Sequence, residues 1–195
     1  PLELAWDGTY IWVASADTYG KLVKFNPATG QTVATYTKNP SGTGTGGIQG
    51  IIYDSANNRL WIGVAQSGGG AGTGLVIKLD PTDPATNICT STGNLNVNGL
   101  THYGSYVWSA NADANVMAKI AKSDCSTTTY ATGNMPVRIA NDGTYVYTAN
   151  YGASNVTKRQ MSDGSLIGTY STCVGPNTIR FDNAGNYWTA CDDGN

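Results

Sequence analysis

Apolar and polar residues alternate along this chain in short runs, each broken within a few residues by Gly, Asn or Asp. A period of two fits half-buried β-strands and rules out amphipathic helices, which would repeat every three to four residues. Five segments share one pattern: LAWDGTYIWVA from Leu4, IIYDSANNRLWIG from Ile51, LTHYGSYVWSA from Leu100, IANDGTYVYTA from Ile139 and IRFDNAGNYWTA from Ile179. Each predicts an apolar strand A, a tight turn and a strand B, with turn residues that favour hairpins. Strand B carries an aromatic residue (Trp12, Trp61, Trp108, Tyr147, Trp188) that recurs about every 40–50 residues.

A third strand follows four of these hairpins, as GKLVKFN, GLVIKLD, NVMAKIA and NVTKRQM, each with a Lys in register: Lys24, Lys78, Lys119 and Lys158. One such residue per repeat reads as the solvent side of each strand C, with charges that discourage edge-to-edge pairing. A further turn and a fourth strand then end near Tyr36, Tyr130 or Tyr170. Four antiparallel strands per repeat predict an all-β fold, a β-propeller of four complete four-stranded blades plus the A–B hairpin of a fifth. The chain reads as one propeller or propeller segment over 1–195, with blades over about 1–46, 47–95, 96–134 and 135–173 and a partial blade over 174–195.

The stretches DGTYVYTANYGASNVTKR from Asp142 and YGSYVWSANADANVMAKI from Tyr103 resemble the YVTN-type propeller repeat. They are also similar to NHL-type and virginiamycin B lyase-like repeats, and the resemblance extends over essentially the whole chain. It implies a fold and leaves function open, because such propellers host unrelated activities. For the lyase it implies a catalytic His with carboxylates and Mg²⁺, and for gluconolactonase-type lactonases a Glu/Asn/Asp metal site. One His (His102) and one Glu (Glu3) do not supply the lyase set, and no Glu accompanies the candidate Asn residues. No cofactor and no metal site is therefore expected.

Four blades and a hairpin leave an unpaired sheet edge, which natural sheets avoid. Two arrangements stay open: a larger ring of which this chain is part, or completion of the fifth blade by another copy, which would make the protein a self-assembling subunit.

Composition narrows the partners. Charged residues make up 12% and net charge is -2, so the basic face that nucleic acid requires is missing. No apolar run is long enough for a membrane-spanning helix. The chain opens on Pro1, which predicts that an upstream segment has been removed or left out. Cys89, Cys125, Cys173 and Cys191 form no CxxC and lack a His set for zinc, so two disulfides and an extracellular or cell-surface setting are expected. In propeller topology Cys173 and Cys191 fall on the face of the D–A connections and B–C loops, and Cys89 and Cys125 near C–D turns on the opposite face. The pairings Cys173–Cys191 and Cys89–Cys125 follow.

Glycine-rich insertions over 41–47 and 67–74 mark the first face as the ligand-binding one. Gln49, Asn98 and Asn177 begin strands A on that face, and their amides suit a polar ligand. Acids at 17, 113, 192 and 193 fall on its loops but match no calcium loop. His102 occupies the strand-A position held by Trp6, Tyr53, Asn141 and Phe181, which makes it a packing residue rather than a base. Asn155-Val-Thr is a glycosylation sequon. No Ser/His/Asp or Cys/His set can be assembled. The sequence thus favours a non-enzymatic secreted or surface propeller, used in binding and adhesion or as a structural filament subunit. A carbohydrate or protein ligand on the insertion face, or other copies of the chain, are the expected partners. The alternative is a piece of a propeller lyase or lactonase whose catalytic residues lie outside this chain.

Overall fold

The computed structural model describes residues 2–17, 19–38, 47–65, 74–91 and 96–192. The insertions over 41–46 and 67–73, and Asp193, lie outside them. The chain divides into two compact units, Pro1–Val97 and Asn98–Asn195. Every sheet is antiparallel and built from strands consecutive in sequence, as alternating patterns separated by tight turns dictate.

In the first unit, blade 1 comprises β1 (Glu3–Trp6), β2 (Ile11–Ala14), β3 (Lys21–Asn26) and β4 (Gln31–Thr37). Blade 2 comprises β5 (Ile48–Asp54), β6 (Arg59–Val64), β7 (Leu75–Leu79) and β8 (Asn87–Ser91). Strand β5 packs against β1 and β2. Ile51 there joins Trp12, Ala14 and Leu22 in one buried cluster. Glu3, the sole glutamate, ties the same strands together by accepting the Ile51 N–H at 3.0 Å.

The second unit repeats this scheme. Blade 3 runs through β9 (Val97–Tyr103), β10 (Tyr106–Asn111), β11 (Val116–Ala121) and β12 (Thr127–Ala131). Blade 4 runs through β13 (Pro136–Asn141), β14 (Tyr145–Asn150), β15 (Asn155–Gln160) and β16 (Leu166–Ser171). The fifth hairpin is β17 (Arg180–Phe181) with β18 (Tyr187–Trp188). Ile139 of β13 sits on Trp108, Ala110 and Met117 of blade 3. Ile179 sits likewise on Tyr147, Ala149 and Val156 of blade 4. Within each unit, one apolar residue of the A segment (Ile51, Ile139, Ile179) thus fills the aromatic–Ala face of the preceding blade. Leu4 holds this position in blade 1, which has no preceding blade in its unit, and is 64% exposed where Ile139 is 4%. Burial comes from stacking blades, not from the single sheet.

Each strand-B aromatic faces the recurrent Lys directly across the ladder: Trp12↔Lys24, Trp61↔Lys78, Trp108↔Lys119 and Tyr147↔Lys158. The four ammonium groups lie 5.0, 5.7, 5.5 and 5.2 Å from those ring centroids. These residues are half-buried or buried rather than a solvent row, which corrects the expectation for the Lys ladder. Their function is cation–π contact within the blade.

A second recurring device closes the A–B turn. Asp7 Oδ1 accepts the N–H of Thr9 and Tyr10 (2.8 and 2.7 Å), while Oδ2 accepts the Trp12 indole at 2.6 Å. Asp142 repeats this with Thr144, Tyr145 and the Tyr147 hydroxyl at 2.7 Å. Asp182 does so with Ala184, Asn186 and the Trp188 indole at 2.9 Å. Burial alone would raise the Asp7 and Asp142 pKa values, but these hydrogen bonds outweigh it and leave both below the usual range. The bonds from Trp188 and Asn186 hold Asp182 down at about 2. Blade 2 keeps the carboxylate, Asp54, in a longer turn where it takes the Asn57 amide (2.8 Å), and the Trp61 indole has no hydrogen-bond partner.

All four cysteines are disulfide-bonded. Cys173 and Cys191 are linked, with Cα atoms 6.0 Å apart.

Candidate functional site

Strand A of blade 4 enters with a β-bulge between Pro136 and Arg138, and β5 carries one at the matching place, between Ile48 and Gly50. Bulges re-aim side chains. Here one turns the consecutive residues Val137 and Arg138 into the same cleft. The Arg138 guanidinium is fixed by donating from Nη1 to the carbonyls of Asn98 (3.1 Å) and Val137 (2.8 Å). That bond spans blades 3 and 4, whose approach requires Gly99: a Cβ there would lie 3.2 Å from the Arg138 Cα.

The cleft holds about 480 Å³ and is also lined by Asn98, Met135, Tyr151, Asn177, Thr178 and Asp192. Tyr151 begins a single 3-10 turn, Tyr151–Ala153, that follows β14. Its N–H donates to the Met135 carbonyl (2.9 Å), which joins that turn to the connection entering β13. The ring lies on the backbone of Gly175, where a Cβ would be 3.1 Å from Cε2. The far wall is stapled by the Cys173–Cys191 disulfide and a bridge between Pro176 and Cys191. Asn177 N–H donates to the Ala190 carbonyl (2.9 Å) and Asp192 N–H to that of Gly175 (3.0 Å). The Asn177 amide in turn donates to the Asp192 carboxylate. Two amides, a guanidinium, a phenol and a carboxylate therefore converge on one concave surface, fixed by backbone bonds rather than by long flexible loops.

Two of the three predicted polar positions, Asn98 and Asn177, come together here. Gln49 stands half-buried at the bulge of β5 in the other unit. Arg138 and Tyr151 were missed from the sequence. The signal for Arg138 was present: the residue before each central strand-A apolar is Glu3, Gly50, Gly99, Arg138 and Thr178, and the one cation of the set stands out. Tyr151 left no such trace, because the 3-10 turn that presents it is absent from the repeat.

The other candidates lie elsewhere. His102 is half-buried on β9 with Nδ1 3.3 Å from the Lys122 ammonium. Asn155 is half-buried, and its side-chain Oδ1 accepts the Asn150 side-chain amide at 2.7 Å beside buried Thr157. Asp17 pairs with Lys21 at 3.5 Å. Among the described residues no group of three His, Cys, Asp or Glu is placed to hold a metal, and no helix is long and apolar enough to cross a membrane.

The four-stranded blades, stacked through strands A with a cleft where those strands begin, define a β-propeller protein. Comparison with solved structures supports that class. A functionally unknown protein from Desulfotomaculum acetoxidans DSM 771 superposes with a TM-score of 0.75 at 13% identity, over 95% of this chain and 60% of that one. A protein of unknown function from Bacteroides caccae gives 0.70 at 7% identity, over 95% and 68%. A chain of the nidogen/laminin complex gives 0.64 at 14%, over 86% and 62%. At these identities the likeness shows the fold alone. This chain spans 60% of the length of the first of them. No protein-family model matches the chain, and no curated protein matches it.

Proposed function

We propose that this chain is the binding part of an extracellular β-propeller and that the strand-A cleft takes a polyhydroxylated, carbohydrate-type ligand. The convergence of Asn98, Arg138, Asn177 and Asp192 around the Tyr151 ring carries this reading. Amides, guanidinium and carboxylate offer paired donors and acceptors to vicinal hydroxyls. An aromatic ring offers the flat apolar face on which a sugar ring packs. Concave sites with a few convergent polar groups are the usual form of small-ligand sites. The extracellular setting is supported by the two disulfides. The YVTN/NHL-like repeat supports a propeller scaffold and is neutral about its cargo.

Titration calorimetry against a panel of neutral and acidic oligosaccharides tests the reading. At least one glycan binds saturably to the wild type, and Asn177→Ala and Tyr151→Ala each weaken it by about 10-fold or more, the loss of one good hydrogen bond or stacking contact. Absence of binding across the panel by folded protein overturns it.

A further inference from the structure

Blades 1 and 4 and the fifth hairpin each place a carboxylate at the A–B turn beneath the strand-B aromatic. Blade 3 keeps the surrounding groups and lacks the carboxylate: Tyr103 stands where Asp7, Asp142 and Asp182 stand. Trp108 holds the same cross-strand register opposite Lys119 as Trp12, whose indole meets the Asp7 turn carboxylate, does opposite Lys24. The ring is 0% exposed, and Nε1 has no hydrogen-bond partner. A buried donor in that state is costly and is met by a partner in most proteins.

Positive charge is in place as well. Lys119 is buried, with its ammonium 4.1 Å from the Tyr106 centroid and donating to the Ser162 carbonyl at 2.6 Å. In blades 1 and 4 the matching lysines, Lys24 and Lys158, act on a turn carboxylate. In blade 3 the acid that acts on Lys119 is Asp163, across in the C–D turn of blade 4.

A second cleft, of about 350 Å³, opens at this turn between Tyr103, Tyr106, Trp108, Met161 and the Gly143–Thr144 turn of blade 4. The Tyr103 ring lies across Gly143, where a Cβ would be 3.5 Å from it. That ring is on the outside, 55% exposed, and shares the cleft wall with Trp108.

We propose that this cleft is a separate binding site for a small aromatic carboxylate. The ligand's carboxylate replaces the missing aspartate, accepts the Trp108 indole N–H and lies in the field of Lys119. Its ring fills the apolar space between Tyr103, Tyr106 and Met161. A neutral analogue lacks the charge that Lys119 meets, and a carboxylate without a ring leaves the walls unfilled.

The test follows the Trp108 indole N–H resonance of the whole ¹⁵N-labelled chain, assigned with Trp108→Phe, as benzoate, benzyl alcohol or acetate is added. Benzoate shifts this resonance saturably, and the two controls bind about 10- to 100-fold more weakly. Tyr103→Asp restores an internal carboxylate, so this variant has a higher Tm and no benzoate response. Tyr103→Phe keeps the ring and retains binding. A Trp108 resonance unmoved by benzoate, an equal response to benzyl alcohol, or undiminished binding by Tyr103→Asp overturns the proposal.

Discussion

An aspartate at the A–B turn carries out two tasks with its two oxygens, and the consequences differ with the aromatic it meets. In Asp7→Asn one side-chain oxygen still serves the turn N–H groups, but an NH₂ then opposes the Trp12 indole, a donor with no acceptor capacity. In Asp142→Asn the Tyr147 hydroxyl reverses and accepts. Asp7→Asn therefore lowers unfolding free energy by about 1–2 kcal/mol and Asp142→Asn by less, measured by urea titration at pH 7. The pH dependence has a definite sign. These carboxylates have folded pKa values below the unfolded value of about 3.9, so their contribution is complete above that pH. It fades as pH falls through the folded values, down to about 2 for Asp182. Thermal scans between pH 5 and pH 2 show wild-type Tm falling more steeply than that of an Asp7→Asn/Asp142→Asn double variant. Among the lysines, Lys24→Gln keeps most of the stem and removes the charge from above Tyr10 and Trp12. It costs about 0.5–1 kcal/mol in the same assay.

At the level of the blade, the strand pattern and turn chemistry made nearly all of the structure legible, because period-two alternation and an aromatic in each strand B are local signals. The cross-strand pairing of Lys with that aromatic was hidden: a lone charge in a strand reads as solvent-facing until the register is known. Turns also hold a substitution the pattern did not explain. Gly30 and Gly164 end the C–D turns of blades 1 and 4 at φ +70 and +80, their N–H groups donating four residues back. Cys125 fills the same place in blade 3 at φ +60, a left-handed conformation unfavourable for a side chain, because it is required as a disulfide partner. In reducing buffer, where the crosslink contributes nothing, Cys125→Gly raises stability by about 1 kcal/mol over wild type, and in oxidising buffer the order reverses. Gly99 is tested from the opposite direction. Gly99→Ala wedges β9 away from Arg138 and costs about 1–3 kcal/mol by denaturant unfolding.

Within each unit of the molecule, neighbouring blades share their burial, as in repeat proteins where neighbours complete one another's cores. The candidate cleft belongs to this level, which is why the sequence showed it only in part. Asn98 and Asn177 lie far apart in sequence and meet because strands A stack, while the bulge and 3-10 turn that add Arg138 and Tyr151 are departures from the repeat. The same reasoning assigns a second task to the Cys173–Cys191 link: it carries Asn177 and Asp192 as well as the fifth hairpin. Cys173→Ser/Cys191→Ser destabilises by about 3 kcal/mol and weakens glycan binding in calorimetry, including at temperatures where the double variant remains folded. The aspartate closure has a longer reach. Because every hairpin brings its own donor, a gene duplication that adds a blade adds a latch already fitted to it. Drift that erases one aspartate leaves behind a socket with its donor in place. Redundancy of this kind lets a scaffold of copied parts lose one latch while its sister blades stay closed.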